Sequence, residues 1–196
     1  PPGLDQQATW LRVKVAQPDW VILRAQGVMT WTALKEAAQV GFPRDKIVGT
    51  NSTCTEEGIV PAGEAALGFI CAVFHGTGRH FPLIQDILTY VYARGKGPGP
   101  ERDVGTGFWN LGVLDGVLTT EAIRTAMRHF GNQPLTGEQV QWGLEHLTLT
   151  AASLKALGAE GLLPPITLSC RDHEGGGGVK FQQWDGKQWH AITDWI

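Results

Sequence analysis

The chain has 196 residues, enough for one or two domains with a sizeable core, and its 42% hydrophobic content and mean hydropathy of −0.10 are those of an ordinary globular protein. The formal net charge is −3 with acids and bases interspersed, so no basic stripe marks a nucleic-acid surface and no polybasic run marks an anionic-lipid surface. No apolar stretch approaches the roughly 20 residues needed to span a bilayer, which excludes stable membrane insertion by a helix.

Pro1-Pro2-Gly3 opens the chain without Met and without a charged-then-apolar leader. Any signal peptide would therefore lie upstream. Asp5 is placed to cap a helix running to about residue 15, with Trp10, Leu11 and Val15 as its apolar positions. Residues 20–23, Trp-Val-Ile-Leu, read as a strand buried on both faces. Gly27 follows at the turn. Thr30 or Thr32 then caps a helix carrying Leu34, Ala37, Ala38 and Val40, which Gly41-Phe42-Pro43 stops. Residues 46–50 form the next strand. A single strand–helix–strand unit cannot cover both faces of a parallel sheet, so this segment is expected to be the later part of a longer chain.

Residues 51–67 read as a loop with a short helical turn at 63–67, and residues 68–74 as another strand. Gly76-Thr77-Gly78 breaks it. Residues 81–94 have helical spacing, and residues 95–100 are too rich in Gly and Pro to be regular. A long helix follows over about 109–130, then one opened by Thr136 through residue 147, then a short one capped by Thr150 to residue 157. Residues 166–169 and 179–184 look extended. Asp185-Gly186 makes a hairpin turn into a strand over 189–195.

The three cysteines, Cys54, Cys71 and Cys170, include no C-x-x-C pair, which argues against a structural zinc site. They read as small half-buried hydrophobes; a Cys54–Cys71 bridge is open to a chain that folds in an oxidising compartment. No nucleophile elbow, P-loop, zinc-protease or dinucleotide motif is present, and no cofactor is expected. The run Gly175 to Gly178 lacks the strand–helix context that cradles phosphate. Cys170 and His173 share a polar turn, and a hydrolase built on them is the weakest functional reading. Glu56-Glu57 reads as a solvated or helix-capping pair.

The positive signal lies at strand ends, where open α/β sheets bind ligands. Gln26, Gly27, Val28 and Met29 follow the first strand and lead into a helix N-terminus. Asn51, Ser52 and Thr53 follow the second, with short hydrogen-bonding side chains. Phe108 and Trp109 stand at the start of the long helix, after a glycine-rich approach.

Four segments, PDWVILRAQGVMTWTALKEAAQVGFPRDKIVGTN, EEGIVPAGEAALGF, PLTGEQVQWGLEHL and SCRDHEGGGGVKFQQWDGKQWHAITDWI, occur in an order that resembles the periplasmic substrate-binding proteins of branched-chain amino-acid-type ABC transporters. The resemblance implies an α/β type I periplasmic-binding-protein fold, with two Rossmann-like lobes joined by three crossovers and here truncated at the N-terminus. Residues 1–72 would be the later part of lobe two, 73–79 a crossover, and 80–160 the C-terminal helical part of lobe one. Residues 161–196 would be the last crossover and the C-terminal strands of lobe two. It implies a non-enzymatic, periplasmic solute-binding component whose partners are a small ligand and ABC permease subunits. A ligand-sensing domain of the same fold in a receptor or regulator is the alternative. It assigns ligand contacts to Gln26–Met29, to Asn51, Ser52 and Thr53, and to Phe108 or Trp109. Amino-acid-specific members carry an acid in the second loop to pair with the ligand ammonium. Here the first acid is Glu56, which points to an amine-free ligand such as an aromatic or other organic acid or an amide.

Overall fold

The computed structural model describes residues 5–196; the Pro1-Pro2-Gly3 opening lies outside them. In chain order the elements are α1 (Gln7–Ala16), β1 (Val21–Leu23), α2 (Val28–Gln39), β2 (Ile47–Gly49), α3 (Glu56–Ile59), β3 (Ile70–Val73), α4 (Pro82–Tyr90), α5 (Gly107–Phe130), α6 (Gly137–Glu145), β4 (Thr148–Leu149), α7 (Ala151–Ala156), β5 (Ile166–Thr167), β6 (Lys180–Trp184) and β7 (Trp189–Ala191). They fall into two compact units, Pro1–Phe74 with Val179–Ile196, and His75–Gly178.

The first unit is built on a sheet of order β1-β2-β3-β6-β7. The pairs β1/β2 and β2/β3 are parallel, with Val21 opposite Ile47 and Gly49 opposite Cys71. β6 runs antiparallel to β3, and β7 antiparallel to β6. The core beneath it gathers Trp10, Leu34, Ile47, Ile59, Phe69 and Trp184. α2 contributes through Ala33, Leu34 and Ala37, the spacing of one helix face.

Four sequence expectations change here. β1 is an edge strand: Val21 and Leu23 pack toward the core, but Ile22 projects from the opposite face and is 79% exposed. Of the apolar positions read for α1, Trp10 alone is buried, against the Phe42 ring at 5.9 Å, while Leu11 and Val15 are exposed. Gly27 occupies the N-cap of α2, and Thr30 and Thr32 lie inside the helix, buried. Residues 51–66 are largely helical: a 3-10 turn Asn51–Thr53, then α3 with the Thr55 hydroxyl accepting from the Gly58 N–H at 3.2 Å, then a 3-10 stretch Val60–Ala66.

The cysteines also depart from the free-thiol reading. Cys54 and Cys71 are joined in a disulfide, and Cys170 is exposed. The bridge is allowed because the parallel β2/β3 register brings β3 beside the turn that follows β2. Gly49 makes room for it: a Cβ there would come within 2.6 Å of the Phe69 ring and 3.1 Å of the Cys71 sulfur. In the β6–β7 hairpin the Asp185 carboxylate accepts the N–H groups of Lys187 at 2.7 Å and Gln188 at 2.8 Å.

In the second unit α5 and α6 pack closely, and α4, α7 and the small β4–β5 pair complete a core of Phe81, Ile84, Leu114, Leu147, Leu154 and Leu162. α6 begins with a capping box in which Thr136 and Gln139 satisfy each other's backbone. Thr150 caps α7, as its sequence position predicts. The helix expected over residues 81–94 is α4 followed, after Val91, by a 3-10 turn Tyr92–Arg94. β4 was not anticipated, and β5 pairs with it, so residues 161–178 pack within this unit.

Candidate ligand-binding site

In the first unit the loops after β1 and β2 are fastened to each other. The Thr50 N–H donates to the Leu23 carbonyl at 3.1 Å, one step past the last β2 residue. Thr53 is fully buried, and its hydroxyl accepts the Ala25 N–H at 3.0 Å. The same oxygen lies 2.9 Å from the Ala25 carbonyl and 3.1 Å from that of Leu23, either of which takes its proton. Ser52 Oγ reaches the Ala25 carbonyl at 3.5 Å. Thr53 therefore shapes the loop from within, whereas Asn51 and Ser52 keep part of their surface exposed.

The neighbouring loop is set by Gly27, whose φ of 53° and ψ of −123° suit a residue without a Cβ. From that turn the Gln26 carbonyl accepts the Met29 N–H at 3.2 Å and the Gly27 carbonyl accepts the Thr30 N–H at 3.0 Å. The Gln6 side chain donates to the Met29 carbonyl at 2.9 Å. Gln26 and Val28 are exposed, and Gly27 and Met29 partly so. The structure thus brings Gln26, Gly27, Val28 and Met29 together with Asn51, Ser52 and Thr53 at one end of the sheet. The groups presented are amides, a hydroxyl and backbone. The first acid after β2 is Glu56, in the first turn of α3.

Phe108 and Trp109 lie in the first turn of α5, in the second unit. Phe108 is 40% exposed. Trp109 is half-buried, its ring 6.4 Å from Tyr92. Their placement depends on the next residue, Asn110, which sequence reasoning places in this candidate segment but not as a contact or an anchor. Asn110 has no exposed surface, and its amide nitrogen donates to the carbonyls of Gly76 and Gly78, each at 3.1 Å. The Gly78 N–H donates to the Gly105 carbonyl at 2.7 Å, and Arg79 Nε to that of Val104 at 2.8 Å. Gly105, at φ 89°, has to be glycine, since a Cβ would fall 2.6 Å from the Arg79 side chain and 2.9 Å from the Gly78 backbone. A single asparagine in an apolar helix carries no motif, so the only prior signal was the facing Gly-Thr-Gly. Nearby, burial lowers the pKa of His75 below its usual value, opposed by its contact with the Gly76 carbonyl at 3.2 Å and by Asp115.

Among the described residues no group of three or more His, Cys, Asp or Glu could hold a metal ion, and no helix is long and apolar enough to cross a membrane. Cys170 and His173 sit in an exposed turn where Asp172 accepts the Glu174 and Gly175 N–H groups, the ordinary chemistry of a polar turn.

A family profile described as "Periplasmic binding protein" matches residues 1–188. The chain belongs to the periplasmic binding protein family. Similar solved structures agree. One, described as an ABC transporter permease from the Pseudomonas fluorescens group, shares 42% identity at a TM-score of 0.95, with 100% of this chain and 47% of that one covered. A branched-chain amino acid ABC transporter protein from Thermus thermophilus, with bound valine, shares 22% identity at a TM-score of 0.75, covering 100% and 50%. A solute-binding protein from R. palustris, in complex with benzoate, shares 15% at 0.67, covering 100% and 49%. No curated protein sequence matches. The chain thus spans about half the length of these structures, and its fold is that of the type I periplasmic binding proteins.

Proposed function

We propose that the protein containing this chain is a periplasmic, non-enzymatic solute-binding component of an ABC importer, and that its ligand is a small organic acid or amide without a free α-amino group. The observation that carries the ligand class is the paired-loop end of the first unit's sheet. Gln26–Met29, Asn51 and Ser52 supply neutral hydrogen bonds there, and Thr53 holds them in place. An ammonium buried against such a wall without a carboxylate would cost several kcal/mol. Phe108 and Trp109, at the start of α5 in the second unit, carry the apolar surface that the resemblance assigns to the ligand body. Two relatives hold ligands of the two competing classes, valine in one and benzoate in the other, so the family accommodates both. Residues 1–72 and the C-terminal strands are assigned to lobe two and residues 80–160 to lobe one.

A thermal-shift panel on the full-length protein tests this, since a ligand stabilises the state it binds by mass action. Benzoate, hydroxybenzoates and short amides should raise the melting temperature. Strong shifts from leucine or valine, with none from the amine-free compounds, would overturn the proposal.

A further inference from the structure

The Cys54–Cys71 bridge fastens the Asn51–Thr53 turn to the interior of the sheet. Cys71 is fully buried in β3, held between β2 and β6. Cys54 is the residue that ends the 51–53 turn, its N–H donating to the Asn51 carbonyl at 3.1 Å and its sulfur 3.0 Å from the Thr50 carbonyl oxygen. On the other side the turn is held by hydrogen bonds alone, chiefly those of the buried Thr53 hydroxyl to Ala25 and Leu23, with the Thr50 N–H and Ser52 Oγ beside it. We propose that oxidation of this cysteine pair is the step that sets the ligand loop, so that the binding wall of the first unit is completed only once the chain folds in an oxidising compartment. The proposal rests on the reading of Asn51 and Ser52 as ligand contacts.

The step is a thiol–disulfide exchange with a protein or small-molecule disulfide as oxidant. One cysteine thiolate attacks a sulfur of the donor disulfide and releases one donor thiol. The second thiolate attacks the first cysteine's sulfur in the mixed disulfide, forms the Cys54–Cys71 bond and releases the second donor thiol. The donor gains the two electrons and the two protons that the cysteines lose. Both sulfurs are buried in the folded state, so exchange precedes the final packing. In a reducing cytoplasm the pair stays as thiols and the turn keeps only its hydrogen bonds.

Amide hydrogen exchange decides this. The full-length protein is refolded with oxidised glutathione, or with excess dithiothreitol and kept reduced, and the Cys54→Ala/Cys71→Ala variant is measured beside them. In both bridge-free forms the amides of Thr53, Cys54 and Ala25 should exchange at least about tenfold faster, while β1–β2 ladder amides keep their protection. Equal rates at those three amides would overturn the proposal. So would loss of protection throughout the first unit, which would make the bridge a requirement of the fold. Benzoate and valine are then titrated into the oxidised and reduced forms. A probe that binds both equally well counts against the proposal. Binding of neither probe counts against the ligand reading, and the exchange rates still decide the role of the bridge.

Discussion

Gly143 tests how tightly α5 and α6 are packed, because two effects of opposite sign act at one atom. It is buried on α6, and a Cβ built there would lie 2.2 Å from the Ala122 carbonyl oxygen and 3.0 Å from the Ala126 Cβ. Helix propensity alone favours Gly143→Ala by about 1 kcal/mol. A carbon against a carbonyl oxygen needs about 3.3 Å, so the substitution must push two helices apart by roughly 1 Å. The obstacle is backbone and cannot rotate away, which places the cost near the upper end, about 3 kcal/mol, of the usual range for overpacking. The net expectation is a loss of about 2 kcal/mol, or roughly 5 °C in melting temperature for a chain of this size. Gly112 and Gly116, on α5, provide the control, for a Cβ at either meets nothing within 4 Å. Gly112→Ala and Gly116→Ala should each stabilise by about 1 kcal/mol. Urea unfolding midpoints at unchanged slope measure all three. Gly143→Ala at or above wild-type stability, with the two controls raised, would refute the close-crossing argument.

Thr53→Val keeps the shape of the side chain but leaves the buried Ala25 N–H without its 3.0 Å acceptor. The expected loss is about 1–3 kcal/mol by urea denaturation, and a change below a few tenths would show that the hydroxyl does not clamp the two loops. In the β6–β7 hairpin, Asp185 has its pKa lowered from 3.8 to about 2, first by the Gln188 N–H, then by that of Lys187, then by His190. The folded value is depressed, so the stabilisation is complete above about pH 3.8 and is lost as the pH falls through about 2. A carbon-detected NMR titration of the Asp185 carboxyl should show that midpoint, and a midpoint near 4 would contradict the hairpin geometry.

Much of the fold was legible because it rests on local chemistry. The unit β1–α2–β2 follows from an apolar strand, a helical face of Leu34 and Ala37 and a Gly-Phe-Pro stop. The caps at Thr136 and Thr150 and the Asp185-Gly186 hairpin follow from side chains that bond their own backbone. What was not legible depends on partners that spacing cannot reveal. Ile22 alternates as a buried strand residue should, yet β1 is an edge with one face uncovered by described residues. Leu11 and Val15 have helical spacing, but α1 turns Trp10 and, in part, Val13 to the core and leaves both of them exposed. The disulfide joins cysteines 17 positions apart, and only the β2/β3 register makes them neighbours. At two residues β4 carries no periodicity to detect, whereas β5 falls within the 166–169 stretch read as extended.

The candidate site shows the same division in miniature, and there it bears on function. Parallel topology alone places the residues after β1 and β2 side by side, so the two loops could be read before any geometry was known. Which side chains face outward could not, since Asn51, Ser52 and Thr53 are three similar polar residues in succession. The 3-10 turn decides it by sending Thr53 inward to Ala25 and Leu23 while Asn51 and Ser52 stay partly exposed. Two tethers of different chemistry, a buried hydroxyl on one side and a disulfide on the other, hold that turn in a single orientation. Fixing the loop in advance lowers the ordering cost that a ligand would otherwise meet on binding. The Asn51–Thr53 turn itself carries no acid, and Glu56 lies beyond it in the first turn of α3. If Asn51 and Ser52 face the ligand as proposed, a wall of neutral donors would disfavour a buried ammonium and suit a carboxylate or amide. The proposed preference for amine-free ligands and the proposed role of the bridge therefore stand on the same turn, and the thermal-shift panel and the exchange rates test them separately.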